Sequence, residues 1–359
     1  MSPERPLRYW RLVEIVQAAA QPLATCPLRA DERMVSYIKG LNYIDDRLAP
    51  MILPMRAAWD GSIPLPPSQQ AHVDDILMHL RSGERPPIIQ LLGSDMASKQ
   101  QVAGRVASSL GLHLFRLSAD LLPAQAADLE TLAMLWQREC QLLPVALYLD
   151  TYNAERSAAE GQMSLVSRFL EGNGGLVFLD TRDISSKDGG GLSAGAVLLE
   201  ISKPTNSEQR DAWISALGQE NSALAARLAC QFNLNLEAIR QIAHLAQEET
   251  VGLSLEERVW DTCLMHTRPN LDVLARRIDA KATWDDIVLP TAEAGLLHQI
   301  SDQVRNRCKV YHDWGFQSKM NRGLGISALF AGESGTGKTM AAEVLANDLG
   351  LSLYRIDLS

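Results

Sequence analysis

The chain has 359 residues, of which 46% are hydrophobic and 21% are charged. This balance is typical of globular proteins and excludes a disordered tail, a collagen-like repeat and a disulfide scaffold, while the length suggests two or three domains. The net charge of −9 argues against general binding to nucleic acid, which requires a basic surface. No apolar run approaches the roughly 18 residues of a membrane span, so no membrane partner is expected.

Residues 1–80 are predicted to form a helical N-terminal region that ends in a linker. Apolar side chains recur at helical spacing across residues 7–58, which predicts helices there. The segment 61–70, GSIPLPPSQQ, contains three prolines and is typical of a linker. A short helix is expected after it, at 72–80.

Residues 81–205 predict an α/β core built on a parallel sheet. Short apolar runs alternate with helical stretches, a pattern typical of βαβ units whose sheet is covered on both faces. The stretch SSKDGGGLSAG, at 185–195, is expected to be a surface loop. The predicted strands are 88–92, 112–117, 145–149, 175–180 and 196–201.

Residues 206–270 are predicted to form a small helical subdomain, because their apolar residues keep helical spacing. A linker and one helix, at about 291–310, are expected over 271–325, and a further strand over 326–331. Three basic residues lie near the end of that helix, and a solvated helix face is favoured there over a phosphate-contacting patch: Arg305, Arg307 and Lys309.

The cysteines are widely spaced, with no CxxC motif and no histidine pair beside them. This pattern indicates neither a zinc site nor a disulfide framework. Reduced thiols in a cytoplasmic protein are therefore expected. The five residues are Cys26, Cys140, Cys230, Cys263 and Cys308.

Two stretches of the chain match each other without gaps at a numbering offset of 239. Each reads as a strand, a glycine loop, a helix and a second strand, so the chain is predicted to begin the same α/β module twice. The matching positions include Gly93 with Gly332, Lys99 with Lys338, Ala103 with Ala342, Ala107 with Ala346, and Leu110-Gly111-Leu112 with Leu349-Gly350-Leu351.

The second copy contains a phosphate-binding loop motif. GESGTGKT, at 332–339, fits G-x-x-x-x-G-K-[ST] between an apolar strand and a helix-forming run, which is the context that the motif requires. Its glycines allow backbone N–H groups to surround a phosphate. Lys338 is predicted to hold phosphate and Thr339 to ligate Mg²⁺, so ATP and Mg²⁺ are the expected cofactors. The predicted binding residues are Gly332, Glu333, Ser334, Gly335, Thr336, Gly337, Lys338, Thr339 and Met340.

The first copy departs from this motif. Its loop, GSDMASKQ at 93–100, lacks two of the glycines and has Gln100 where a metal-ligating hydroxyl is needed. Asp150 ends a strand where a metal-orienting carboxylate would lie, but Thr151 follows it in place of a base. Two interpretations remain open: a degenerate site in which Gly93, Lys99 and Asp150 bind nucleotide without cleaving it, or a decayed structural module.

Together these residues resemble the AAA+ ATPase superfamily, specifically bacterial proteins with tandem ATPase modules of which the first is degenerate. The resemblance covers roughly residues 80–359. Similar proteins occur near extracellular contractile injection systems and other bacterial machines. The segments that carry the resemblance are WDDIVLP (284–290), YHDWGF (311–316), the sequence 329–359 and KPTNSEQRDAW (203–213). The last of these resembles the link from a core to its helical lid.

The resemblance implies an α/β P-loop fold in which 206–270 is the helical lid and 326–359 begins the second core. It places Asp286 and Ile287 against the adenine. It further implies ATP hydrolysis coupled to remodelling of a protein partner by a homo-oligomeric ring. The chain is expected to be a fragment, truncated shortly after the Walker A motif, that binds ATP without turning it over; the alternative is a non-hydrolysing scaffold or adaptor that recruits a partner.

Overall fold

The computed structural model divides into two compact units, Met1–Thr205 and Asn206–Ser359. Within the described part of the chain, no helix combines the length and the hydropathy that crossing a membrane requires. The described residues are 5–16, 22, 25–55, 64–82, 88–151, 160–172, 174–182, 196–247, 253–267, 275–316 and 325–356, so the predicted loop at 185–195 lies outside them.

The N-terminal region contains short helices and strands. Helices α1 (Pro6–Tyr9) and α2 (Glu32–Ile38) accompany strands β1 (Val13–Ile15) and β2 (Leu28–Ala30), which pair antiparallel. Strand β3 (Ile52–Pro54) follows. The prediction of helix across 7–58 is therefore wrong at all three strands, because pairing with a distant partner overrode the local helical spacing.

The first unit is built on a six-stranded sheet with the order β3-β5-β6-β7-β4-β8. All neighbours are parallel except β3, which lies antiparallel to β5 at the edge. The predicted parallel sheet is confirmed, and β3 is an addition that the sequence did not indicate. The five other strands are β4 (Ile88–Leu92), β5 (His113–Ser118), β6 (Val145–Asp150), β7 (Leu176–Thr181) and β8 (Val197–Glu200).

Helices cover both faces of this sheet. Because successive strand residues point to opposite sides, each strand contributes apolar side chains to both faces. Leu147 and Leu149 pack with α5 (Ala126–Leu142) and α6 (Glu160–Glu171) on one face. Ala146 and Tyr148 pack on the other face, with helices α3 (Pro67–Ser82) and α4 (Met96–Ser109). Helix α3 begins inside the segment that was predicted as a linker, so that prediction is wrong from residue 67 onward; residues 61–63 lie outside the described part.

Buried ion pairs connect the N-terminal region to helix α5. Arg33 Nη2 lies 2.9 Å from Glu139 Oε2, and both side chains are almost fully buried. Arg138 forms an ion pair with Asp45 and a longer one, of 3.4 Å, with Asp31. Since a buried charge that loses its partner is costly, loss of residues 31–45 would leave uncompensated buried charges on α5 and destabilise the first unit.

The second unit begins with four helices, which confirms the helices predicted in this stretch. They pack around a core that includes Trp213, Leu228 and Ile239. Ser254 caps the last of them, with its hydroxyl accepting from the Glu257 N–H at 3.2 Å. Their bounds are α7 (Asn206–Leu217), α8 (Ser222–Gln231), α9 (Leu236–Gln247) and α10 (Leu255–His266).

The rest of the second unit contains α11 (Thr291–Arg305), α12 (Lys338–Leu349) and a two-stranded sheet. In that sheet β10 (Leu353–Arg355) pairs antiparallel with β9 (Arg276–Ile278). The strand predicted over 326–331 is not formed, and Leu329 within it is 93% exposed. That prediction is wrong because none of the described strands lies beside this segment to pair with it.

A disulfide joins Cys230, at the end of α8, to Cys308, after α11, with 5.7 Å between their Cα atoms. The expectation of reduced thiols is therefore wrong for this pair, whereas Cys26, Cys140 and Cys263 take part in no disulfide within the described part of the chain. The two cysteines are 78 residues apart in the chain and meet only through the packing of the second unit, so their spacing gave no indication of the bond.

The predicted solvated face is confirmed at Arg305 and Lys309, which are both exposed, whereas Arg307, after the end of α11, is half-buried. Arg305 Nη2 lies 2.7 Å from Asp348 Oδ1 on α12. Arg307 donates to the Cys230 carbonyl at 3.2 Å and to Gln231 Oε1 at 3.3 Å. These contacts hold α11 against α12 and against the end of α8.

Candidate functional site

The loop 332–339 turns back on itself through glycines with positive φ angles. Gly332 has φ +152°, Gly335 has +88° and Gly337 has +84°. Residues other than glycine are strained in this region of the backbone map, so the loop conformation depends on these three glycines. Such a turn can direct successive N–H groups toward one anion.

Lys338 lies across the loop and bonds only to neutral oxygens among the described residues. Its Nζ donates to the Gly332 carbonyl at 2.9 Å and to the Glu333 carbonyl at 2.6 Å, with Thr336 Oγ1 at 3.4 Å. None of the ion pairs found in the described part of the chain includes this ammonium group. Its charge is therefore held at the loop without a neutralising carboxylate.

Helix α12 starts directly at this loop, and no side chain caps its N-terminus. Gly337, the N-cap residue, has no side chain that could accept from the first N–H groups of the helix. The partial positive charge of a helix N-terminus adds to that of Lys338, and an anion bound here would satisfy both. Lys338, the glycine turn and the uncapped helix together fit a phosphate group.

The magnesium ligand predicted at this site, Thr339, is exposed on the first turn of α12, beside Met340, which is 41% exposed. Within the described ranges, no three His, Cys, Asp or Glu side chains gather as a metal site. Mg²⁺ is commonly held by one or two protein groups together with substrate phosphates and water. A hydroxyl at Thr339 fits that arrangement only with a phosphate bound beside it.

The segment 284–290 packs beside the same helix. Ile287 belongs to a small apolar cluster with Leu345 of α12 and Leu297 of α11. Asp286 closes a turn, accepting from the Thr283 N–H and hydroxyl at 2.8 Å each, and these hydrogen bonds lower the pKa of its carboxyl group. The role of Asp286 and Ile287 beside an adenine stays a prediction.

The loop 93–100 has a different electrostatic environment. Lys99 is only 1% exposed, and its Nζ donates to the carbonyls of Gly93 at 2.6 Å and Thr181 at 3.1 Å. It also forms a buried ion pair with Asp180 on β7. Asp180 was not singled out from the sequence; the available signal was an acidic residue inside an otherwise apolar strand.

Asp150, the other residue of the predicted degenerate site, ends β6 next to this strand. It is 5% exposed and forms an ion pair with Arg116 of β5. Thr151 is fully buried and donates its hydroxyl to the Asp180 carbonyl oxygen. The structure thus brings Gly93, Lys99 and the ends of β6 and β7 together, with protein groups of opposite charge beside both Lys99 and Asp150.

The two glycine loops share local geometry at positions 239 residues apart. Each lysine donates to the carbonyl of the first glycine of its loop. Each helix ends in a left-handed glycine, Gly111 at φ +67° and Gly350 at φ +63°. The closing hydrogen bonds also correspond: Leu112 N donates to Ala107 O, and Leu351 N to Ala346 O, at 2.8 Å each.

Two segments of the chain match known protein families. Residues 205–269 match the contractile injection system ATPase helical domain, and residues 328–359 match the ATPase family associated with various cellular activities (AAA). A comparison with curated proteins found no match. The two family matches and the largely parallel sheet support an AAA+ ATPase with an α/β P-loop fold.

Proposed function

We propose that this protein binds ATP with Mg²⁺ at the loop 332–339. The observation that carries the proposal is Lys338: an ammonium group held by neutral loop oxygens, at the start of an uncapped helix. Lys338 would contact the terminal phosphates and Thr339 the metal, while the bound metal would neutralise phosphate charge. The remaining loop residues would donate backbone N–H groups.

A fluorescent ATP analogue titrated against Lys338→Ala tests the assignment. Hydrogen bonds to charged groups contribute about 1.5–3 kcal/mol, so the substitution should weaken binding about 10- to 150-fold. Lys309→Ala is the matched control, because it removes an exposed lysine from the turn after α11. Unchanged affinity in Lys338→Ala would show that this loop does not bind the nucleotide.

The metal role of Thr339 can be separated from nucleotide binding. Thr339→Val keeps the size of the side chain and removes its hydroxyl. We expect it to weaken analogue binding in the presence of Mg²⁺ and to have little effect in EDTA. Equal losses under both conditions would indicate a general disturbance of the loop and would contradict metal ligation.

The wider function follows from the family matches. We propose that ATP hydrolysis drives remodelling of a protein partner by a ring of identical chains in the cytoplasm, with residues 206–270 acting as the lid. For the 359-residue chain itself we expect binding without turnover, because the described residues offer no water-activating carboxylate at Lys338. Phosphate release above background from the pure protein, lost in Lys338→Ala, would overturn that expectation.

The alternative function is a scaffold that recruits a partner without hydrolysis. The observation in its favour is the loop 93–100, where Lys99 pairs with a protein carboxylate. A pull-down with the whole chain, compared between the parent and Lys338→Ala, distinguishes the two. Partner recovery that depends on ATP and on Lys338 supports remodelling, whereas equal recovery from both proteins favours the scaffold.

A further inference from the structure

The buried lysine of the loop 93–100 has no donor left for a ligand. A lysine ammonium has three N–H donors. In Lys99 these face the Gly93 carbonyl, the Thr181 carbonyl and the Asp180 carboxylate. Because the side chain is 1% exposed, solvent does not compete for these positions. A phosphate could reach Lys99 only by displacing one of the three acceptors.

Asp180 is firmly held in that position by the sheet. It is 2% exposed, and its Oδ2 accepts from the Tyr148 hydroxyl at 2.7 Å. Tyr148 is itself fully buried on the neighbouring strand β6. Burial raises the pKa of Asp180, and the hydrogen bond and charge of Lys99 oppose that rise. The Asp180 carboxylate is therefore fixed by contacts within the sheet, and it lies beside the only buried lysine of the described residues.

The N-terminus of helix α4 is also satisfied internally. Asp95 is its N-cap residue, and Asp95 Oδ2 accepts from the Ser98 N–H at 3.0 Å. At the corresponding end of α12, Gly337 provides no such acceptor. The two groups that would attract a phosphate, the lysine and the helix N-terminus, are thus each paired with a carboxylate in the first loop.

The first loop is closed at its glycine as well. The Gly93 N–H donates to the carbonyls of Thr181 and Arg182, at 3.2 and 3.3 Å. A Cβ atom at Gly93 would lie 2.3 Å from the Ile201 carbonyl oxygen. The loop is therefore packed against the ends of β7 and β8, and its first N–H group faces protein oxygens.

We infer that Asp180 is an internal substitute for a bound phosphate. Its carboxylate neutralises Lys99 and holds the loop 93–100 in its folded conformation, with Asp95 taking the second anionic position at the helix. The loop consequently takes no nucleotide, and removing the Asp180 carboxylate uncovers a site for a phosphate-type oxyanion. This inference is independent of ATP binding at 332–339.

The test uses the full chain with Lys338→Ala, so that the contribution of the second loop is greatly weakened. In this background, Lys99→Met should not reduce whatever binding of the fluorescent ATP analogue or inorganic pyrophosphate remains. Adding Asp180→Ser should lower the melting temperature by at least about 6 °C, because Lys99 then remains buried without its counter-ion. Millimolar pyrophosphate should recover part of that loss, and further substitution of Lys99→Met should abolish the recovery.

Three outcomes would overturn the inference. The first is that the Lys338→Ala protein binds the ATP analogue and loses this binding when Lys99→Met is added. The others are that Asp180→Ser does not lower the melting temperature, or that pyrophosphate does not affect a folded Asp180→Ser protein. If Asp180→Ser does not fold, the pair Lys99→Met and Asp180→Asn decides. The neutral double variant should melt well above the value expected from adding the two single losses. Simple additivity would contradict the pairing on which the inference depends.

Discussion

Replacing Gly93 by alanine tests how closely the first loop packs against the sheet. The residue has φ +129°, where an L side chain is strained by about 1–3 kcal/mol. The added Cβ would lie 2.3 Å from the Ile201 carbonyl oxygen, and moving backbone to relieve such overpacking costs about 1–3 kcal/mol more. We expect Gly93→Ala to destabilise the first unit by about 2–6 kcal/mol.

Gly111→Ala is the matched control, because it has φ +67° but no heavy atom within 4 Å of the added Cβ. Backbone strain alone should cost it about 1–2 kcal/mol. Hydrogen exchange measured by mass spectrometry on peptides covering 88–92 and 176–181 reports the opening free energy of the first unit directly. Equal losses in the two variants would refute the close approach of Gly93 to Ile201.

Three further predictions concern the cysteines and the buried ion pairs. Cys308→Ser opens a 78-residue disulfide loop and should lower the free energy of unfolding in urea by about 4.5 kcal/mol, the value that chain entropy gives for a loop of this length, whereas Cys26→Ser should have little effect. Burial raises the pKa of the Cys263 thiol to about 12, so the contribution of the buried neutral thiol to the free energy of unfolding is fully present below pH 9 and is lost as the pH rises toward 12. Iodoacetamide at pH 8.5 should therefore label Cys26 and spare Cys263. Labelling of both cysteines would contradict the burial of Cys263. Arg33→Met breaks a buried ion pair and should lower the free energy of unfolding in urea by about 3–5 kcal/mol. Arg168→Met breaks an exposed ion pair and should lower it by less than about 1 kcal/mol. Similar losses in the two variants would show that burial of the ion pair does not determine the cost.

The sheet of the first unit was predictable because its strands carry their signal locally. Strands β4 and β7 are covered on both faces, so nearly every residue in them is apolar and the run stands out from its surroundings. Strands β1, β2 and β3 have no such signal, because each depends on a partner elsewhere in the chain. The opposite error occurred at 326–331, where an apolar run has no described strand beside it.

The candidate site was predictable only in part. The motif at 332–339 locates Lys338 because glycine spacing and lysine position are both fixed by sequence. Its counterpart Lys99 also followed from the repeat, but its environment did not. Strand alternation shows that Asp180 shares a face with Phe178, and it does not show which distant cation that face meets. The same limit applies to Cys230 and Cys308, which only tertiary packing brings together.

The buried pairs between residues 31–45 and helix α5 have a consequence for dissecting this protein. Arg138 and Glu139 obtain their counter-charges from Asp31, Arg33 and Asp45, and β3 covers the edge of the sheet at β5. Expression trials that start at residue 81 would discard both the counter-charges and the edge strand, leaving an open edge prone to aggregation. Cloning boundaries for the first unit therefore belong before residue 31, and the first 80 residues cannot be treated as a detachable docking arm.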